Sequence, residues 1–150
     1  MLSLASMQST VAGAINANAY FSTAPSVVCI SDDGLQDSAI ETQLRSKGCV
    51  VVVPPILRAT RRDFGGGKLL IDAEIVVRIL VNPHVNAAAG GASRNVYTAI
   101  ASVTQAVLSW VPATVGDRRF ETSEDFLQIA VNDTGLLGYH LLFTKLSTLN

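Results

Sequence analysis

The chain has 150 residues, which fits a single domain over 1–150 with a sizeable hydrophobic core. Charged residues make up only 15% of it, against roughly 25% in an average soluble domain, so we expect other subunits to cover part of its surface. Its 11 basic and 12 acidic residues form no block of one sign, and no apolar run is long enough to span a membrane, which argues against nucleic-acid capture or membrane insertion.

The N-terminal part of the chain predicts two helices separated by a short strand. Apolar residues recur at helical spacing from 3 to 20, and Ser3 is the candidate cap. A strand is expected at 27–30. The second helix begins near Ser38, which has a glutamate three residues later as in a capping box, and it stops at Gly48.

Two stretches in the middle of the chain predict strands. The apolar run Cys49–Val53 suits a strand covered on both faces, and Pro54-Pro55 should mark a bulge or an edge before an extended segment. Cys29 and Cys49 are both expected to be buried thiols rather than a disulfide. Over Lys68–Val81, apolar and polar residues alternate, as in a half-buried strand. Fully extended, this strand spans about 45 Å, against the usual 17–20 Å. Part of its hairpin should therefore reach beyond its own core.

A helix with two apolar stripes is predicted from 93 to 110. One stripe suits packing on a sheet, and the second, which runs from Tyr97 to Leu108, is free for another contact. After a loop, strands are expected at 127–131 and 139–146. The order α-β-α-β-β-α-β-β indicates an α+β fold, with an antiparallel or mixed β-sheet, a long hairpin and two to three packed helices.

The glycines before Lys68 could suggest a phosphate-binding loop. Such a loop needs a lysine followed by serine or threonine and a helix, whereas here Leu69 and a strand follow. A hairpin tip is the better interpretation; with a loop at 64–67, Asp63 would face Lys68.

Other motifs that suggest chemistry have simpler structural explanations. Asp133-Thr134-Gly135 matches the triplet of aspartic proteases, but a turn between two strands accounts for it better. His84 and His140 have no metal-site spacing with the cysteines. The sequence therefore predicts neither an enzyme nor a cofactor or metal site.

Four segments form a recognisable succession: the helix-glycine-strand step ETQLRSKGCVVVV, the long strand EIVVRILVNPHVN, the helix NVYTAIASVTQAVLSWVP and the closing strand GYHLLFT. Together they resemble the tail terminator or tail completion proteins of tailed bacteriophages. The similarity covers most of the chain and consists of packing positions rather than an active site.

The resemblance implies a subunit of a homohexameric ring. Such a ring caps the head-proximal end of the tail tube in the virion after assembly in the host cytoplasm. It contacts the tail tube protein and the neck or connector proteins, and DNA only passes through it. The candidate interface residues are Arg58, Arg61, Arg62, Phe64 and Lys68 of the hairpin and the patch formed by Tyr97 and Leu108.

Three alternatives remain open from the sequence. A head-tail joining protein of the neck would share this architecture. A small nucleotide-binding enzyme would use the loop from Gly65 to Lys68, or Asp133 as an acid. A binding module that uses the hairpin edge would stay monomeric at any concentration.

Overall fold

The structure is a computed structural model that describes residues 2–22, 27–29, 37–55, 58–65, 68–82, 96–131 and 137–148. Four helices and six strands lie within these ranges. In chain order they are α1 (Leu4–Ala17), α2 (Ala19–Ser22), β1 (Val27–Cys29), α3 (Asp37–Lys47), β2 (Cys49–Val53), β3 (Arg58–Gly65), β4 (Lys68–Val81), α4 (Val96–Leu108), β5 (Glu121–Val131) and β6 (Leu137–Thr148).

All six strands form one mixed sheet. Its hydrogen-bonded order is β1-β2-β4-β6-β5, and β3 also pairs with β4. Only β1 and β2 run parallel, and the other pairs are antiparallel. Helices α1 and α4 pack on one face and α3 packs on β2, which confirms the predicted α+β class with a mixed sheet.

Strands β2 and β3 lie end to end along the same edge of β4. Val52 pairs with Arg78 and Arg58 pairs with Glu74, so six steps along one edge face only four along β4. The described ladder of β2 ends at Val52 and that of β3 begins at Arg58, so the interruption predicted at Pro54-Pro55 is confirmed. Proline has no N–H for a ladder hydrogen bond.

The alternation predicted for β4 governs the main core. From Ile71 to Val81 every odd-numbered residue is buried, whereas most even-numbered residues are partly exposed. Met7 and Ile15 of α1, Val103 of α4 and alternate residues of β6 pack against this face. Full burial of each such side chain contributes about 1.5–3 kcal/mol, so this layer holds the fold together.

A second, smaller core lies on the opposite face. Ile40 and Leu44 of α3 pack on Val50 and Val52 of β2 and on the partly buried Leu80 of β4. All five residues of β2 are buried, which confirms that this strand is covered on both faces.

The helix predicted over 3–20 is interrupted at Asn18. This residue is extended, with φ −70° and ψ 134°, and its Oδ1 accepts a hydrogen bond of 3.0 Å from the Tyr20 N–H. An asparagine side chain that satisfies a backbone donor favours a cap over a helix interior, so α1 ends and α2 begins there. Ser3 is the N-cap of α1, but its hydroxyl contacts Ser6 Oγ instead of a backbone N–H.

The helix stop at Gly48 and an exposed glycine inside α1 provide a matched pair of substitutions. Gly48 has φ +73°, which is costly for alanine, and Gly13 has open space where a Cβ would lie. We expect Gly48→Ala to lower the free energy of unfolding by about 1–2 kcal/mol and Gly13→Ala to raise it by about 0.5–1 kcal/mol. Urea denaturation of both variants measures this; equal effects of the two alanines would contradict the assignment.

Candidate assembly surface

The β3–β4 hairpin is longer and tighter than predicted. Pairing continues to Gly65 opposite Lys68, which leaves only residues 66–67 to connect the strands. Asp63 pairs with Leu70, so the expected contact of Asp63 with Lys68 was wrong. Two glycines suffice for a two-residue hairpin connection, which lets the ladder run further. Lys68 starts a strand, so the glycines lack the helix N-terminus of a phosphate-binding loop.

Strand β3 carries a bulge at its basic centre. Arg61 pairs with Ile71 and Asp63 with Leu70, so Arg62 is the extra residue. Arg58 is exposed at the start of the strand. Arg61, Arg62, Phe64 and Lys68 have described backbones, and their side chains lie outside the described part. The outer edge of β3 pairs with no other described strand.

Tyr97 and Leu108 do not form one patch. Tyr97 is 71% exposed in the first turn of α4, whereas Leu108 packs against the main core at the other end of the helix. They are eleven positions apart, or about 16 Å along the helix axis. The exposed part of the second stripe is therefore the end that carries Tyr97.

Strand β5 forms the opposite edge of the sheet and exposes apolar side chains. Leu127 is 45% exposed and Ile129 is 66% exposed. They pair with Leu141 and Tyr139, so they lie on the face that carries the main core. Exposed apolar side chains on an unpaired edge are typical of a strand that associates with another chain.

The first half of β5 is acidic and irregular. Thr122 pairs with Phe143 and Leu127 with Leu141, so five steps along β5 face two along β6. Within this bulge Glu124 and Asp125 are exposed, while Phe126 packs on Phe143 with ring centroids 5.5 Å apart. We expected a loop up to residue 127, and this half of the strand was missed. Its residues before Phe126 are polar and mostly exposed, so they give no alternation that would predict a strand.

An open groove of about 720 Å³ lies on the sheet face beyond α3. Arg78, His140 and Gln128 pair in register across three strands and form one row of its lining. Val76 and Leu142 form the buried floor of the groove. Its lining also includes one further cation, Arg58, and the carboxylates of Asp72, Glu74, Glu124 and Asp125.

The surroundings in this groove lower the pKa of His140. Burial and then the positive charge of Arg78 lower its pKa below the ordinary value. The buried Arg78 Nε has no hydrogen-bond partner among the described residues. Within the same ranges, no group of histidine, cysteine and acidic side chains is arranged to hold a metal ion.

A buried ion pair fixes the loop before β5 onto the sheet. Lys145 Nζ lies 2.9 Å from Asp117 Oδ1, and both side chains are almost fully buried. Lys145 also donates to the Arg118 carbonyl and lies 5.4 Å from the ring centroid of Trp110. Asp117 Oδ2 accepts a hydrogen bond of 3.1 Å from the Leu2 N–H. One charge pair thus joins the N-terminus, this loop and β6.

The sequence contained a signal for this pair. Tyr139, Leu141 and Phe143 alternate toward the core, and the same period continues to Lys145 and Ser147. A lysine at an inward position requires a buried partner. Its identity could not be predicted, because Asp117 lies in an irregular loop.

Several sequence candidates fall outside the described residues. These are His84, the triplet Asp133-Thr134-Gly135 and the side chain of Cys29. Cys49 is described and is a buried cysteine outside any disulfide bond, as predicted.

Comparisons with known proteins give no assignment. No protein-family model matches the chain. No curated protein matches it either. Among the helices of the described residues, none is both long and apolar enough to cross a membrane.

The ion pair predicts a specific dependence of stability on pH. Burial raises the pKa of Asp117, but the hydrogen bond and charge of Lys145 together with the hydrogen bond from the Leu2 N–H and the charge of the N-terminus outweigh this, and the pKa lies below its ordinary value of 3.8. The stabilisation is complete above the unfolded-state pKa and is lost as the pH falls through the lower folded-state pKa. We expect Asp117→Asn to cost about 3–5 kcal/mol at pH 7, since it leaves the Lys145 ammonium buried and unpaired.

Urea denaturation of wild type and Asp117→Asn between pH 2 and pH 7 measures this difference. It should stay constant above about pH 5 and shrink below about pH 4. Lys145→Met combined with Asp117→Asn should cost less than the two single substitutions added together. A pH-independent difference, or additive costs, would show that the pair does not act as described.

Proposed function

We propose that this chain is a structural subunit of a virion ring that closes the head-proximal end of a bacteriophage tail tube and joins it to the neck. The observation that carries the proposal is that the sheet extends beyond the area that the helices cover. Strand β4 is 14 residues long and forms an extended hairpin with β3, and β5 exposes Leu127 and Ile129 at the other edge. Both features are typical of a subunit completed by neighbours.

The composition supports the same proposal. Charged residues are scarce, and exposed apolar side chains occur outside β5 as well. Val111 and Val115 are exposed in the loop that the ion pair anchors, and Tyr97 is exposed on α4. Neighbouring subunits that cover such a surface would remove its apolar side chains from water.

The proposed partners follow from the segments that resemble tail terminators. Six copies would form the ring, the tail tube protein would meet one face and the neck or connector proteins the other, with DNA passing through the centre. The hairpin that carries Arg58, Arg61, Arg62, Phe64 and Lys68 is the proposed contact with a neighbour or with the tube. A head-tail joining protein of the neck is the alternative within the same architecture.

The mass of the protein in solution tests the proposal. We expect light scattering after size-exclusion chromatography to detect a transition from the 15.8 kDa chain to a closed oligomer as concentration rises. Negative-stain images of the oligomer should contain rings with a central channel. A monomer at every concentration from micromolar to millimolar would contradict the proposal.

A further inference from the structure

We propose that copies of this chain join head to tail, with the basic β3 edge of one copy pairing with the acidic β5 edge of the next. This inference rests on the proposed ring, and it names the two surfaces that meet. The occupant of each edge is therefore a second copy of the same chain.

The two strands lie at opposite edges of one sheet. Strand β3 pairs only with β4, and β5 pairs only with β6, among the described strands. Their lengths of 8 and 11 residues allow a ladder of useful size. The other edge strand, β1, has only 3 residues. An unpaired edge offers a row of backbone donors and acceptors, and β3 and β5 are the long ones.

Strand directions make the junction antiparallel. β3 and β6 each run antiparallel to β4, and β5 runs antiparallel to β6. It follows that β3 and β5 run in opposite directions. A neighbouring copy that continues the sheet in the same orientation therefore brings its β3 antiparallel to β5, which is the more stable ladder geometry.

Charge selects this pairing over its alternatives. The sequence of β3 carries three arginines and one aspartate, and that of β5 carries three acidic residues and no basic one. Opposite charges across a ladder stabilise it, whereas two β3 edges or two β5 edges would bring like charges together. The residues are Arg58, Arg61, Arg62 and Asp63 on β3 and Glu121, Glu124 and Asp125 on β5.

The same contact would cover the apolar side chains of β5. Leu127 and Ile129 follow the acidic bulge and are exposed on the face that carries the main core. A strand added at this edge would remove part of their apolar surface from water, which favours association. Because each copy uses two different edges, the contact is heterologous and can propagate until a ring closes.

Two double charge reversals test the inference. Arg61→Glu with Arg62→Glu makes both edges acidic, and Glu124→Lys with Asp125→Lys makes both edges basic. We expect each variant alone to need at least a tenfold higher concentration than wild type to assemble, measured by light scattering. Arg45→Glu with Lys47→Glu on α3 is the matched control, since it changes the net charge as much as the β3 reversal does, away from both edges, and should assemble like wild type.

Mixing the two variants distinguishes head-to-tail pairing from other contacts. In a 1:1 mixture each junction again joins opposite charges, so rings should return with the two variants alternating. The chain that carries all four reversals should assemble alone. Wild type mixed with only the β5 variant should form rings of wild type alone, because the reversed β5 edge of the variant meets a basic β3 edge in every pairing and no ring that contains the variant can close.

Circular dichroism and thermal unfolding establish that each variant is folded. Where a reversal prevents folding, Arg61→Gln with Arg62→Gln and Glu124→Gln with Asp125→Gln replace it, with a smaller loss of assembly expected. If wild type forms rings and both reversed variants assemble equally well, or if the mixture does not restore assembly, the edge inference is wrong while the ring proposal stands. If wild type stays monomeric, the ring proposal itself fails.

Discussion

The pairing of β4 with β6 is the constraint on which the rest of the structure depends. It runs without interruption from Leu70 to Val81, and β2 and β3 occupy the other edge of β4. Side chains alternate with a period of two, so this register decides which residues of four strands meet α1 and α4. A slip of one residue would turn Ile75 and Val77 toward water. The same register places Lys145 in the core, where Asp117 must neutralise it.

Helices cover this sheet incompletely, and the uncovered parts differ in character. Helix α3 closes the β2 end of one face, and the polar groove around Arg78 and His140 occupies the rest. The β3 edge is basic and the β5 edge is acidic, with apolar side chains beside the acids. The ion pair of Lys145 holds the loop before β5, so it fixes the position from which that edge strand starts. Stability of the core and presentation of the edge are thus connected.

The sequence correctly predicted strands whose two faces either differ strongly in burial or are both buried. Strand β4 was predicted because its alternation reflects one buried and one partly exposed face, and β2 was predicted because both of its faces are buried. The start of β5 was missed because an edge strand in water has no constraint on its polar residues. The predicted register of the β3–β4 hairpin was wrong because the side-chain pattern does not fix how many glycines form the connection. Tyr97 and Leu108 were predicted to lie in one apolar stripe, yet of these two residues only Leu108 packs against the main core.

Hydrogen exchange of the backbone amides tests the central claim most directly, that copies associate through the edges of one sheet. Exchange should be compared below and above the concentration at which the protein assembles. The account predicts that amides of β3 and β5 exchange more slowly in the assembled state, while those of the short edge strand β1 change little. Unchanged exchange in both β3 and β5, with protection gained only on the helices or nowhere, would contradict it.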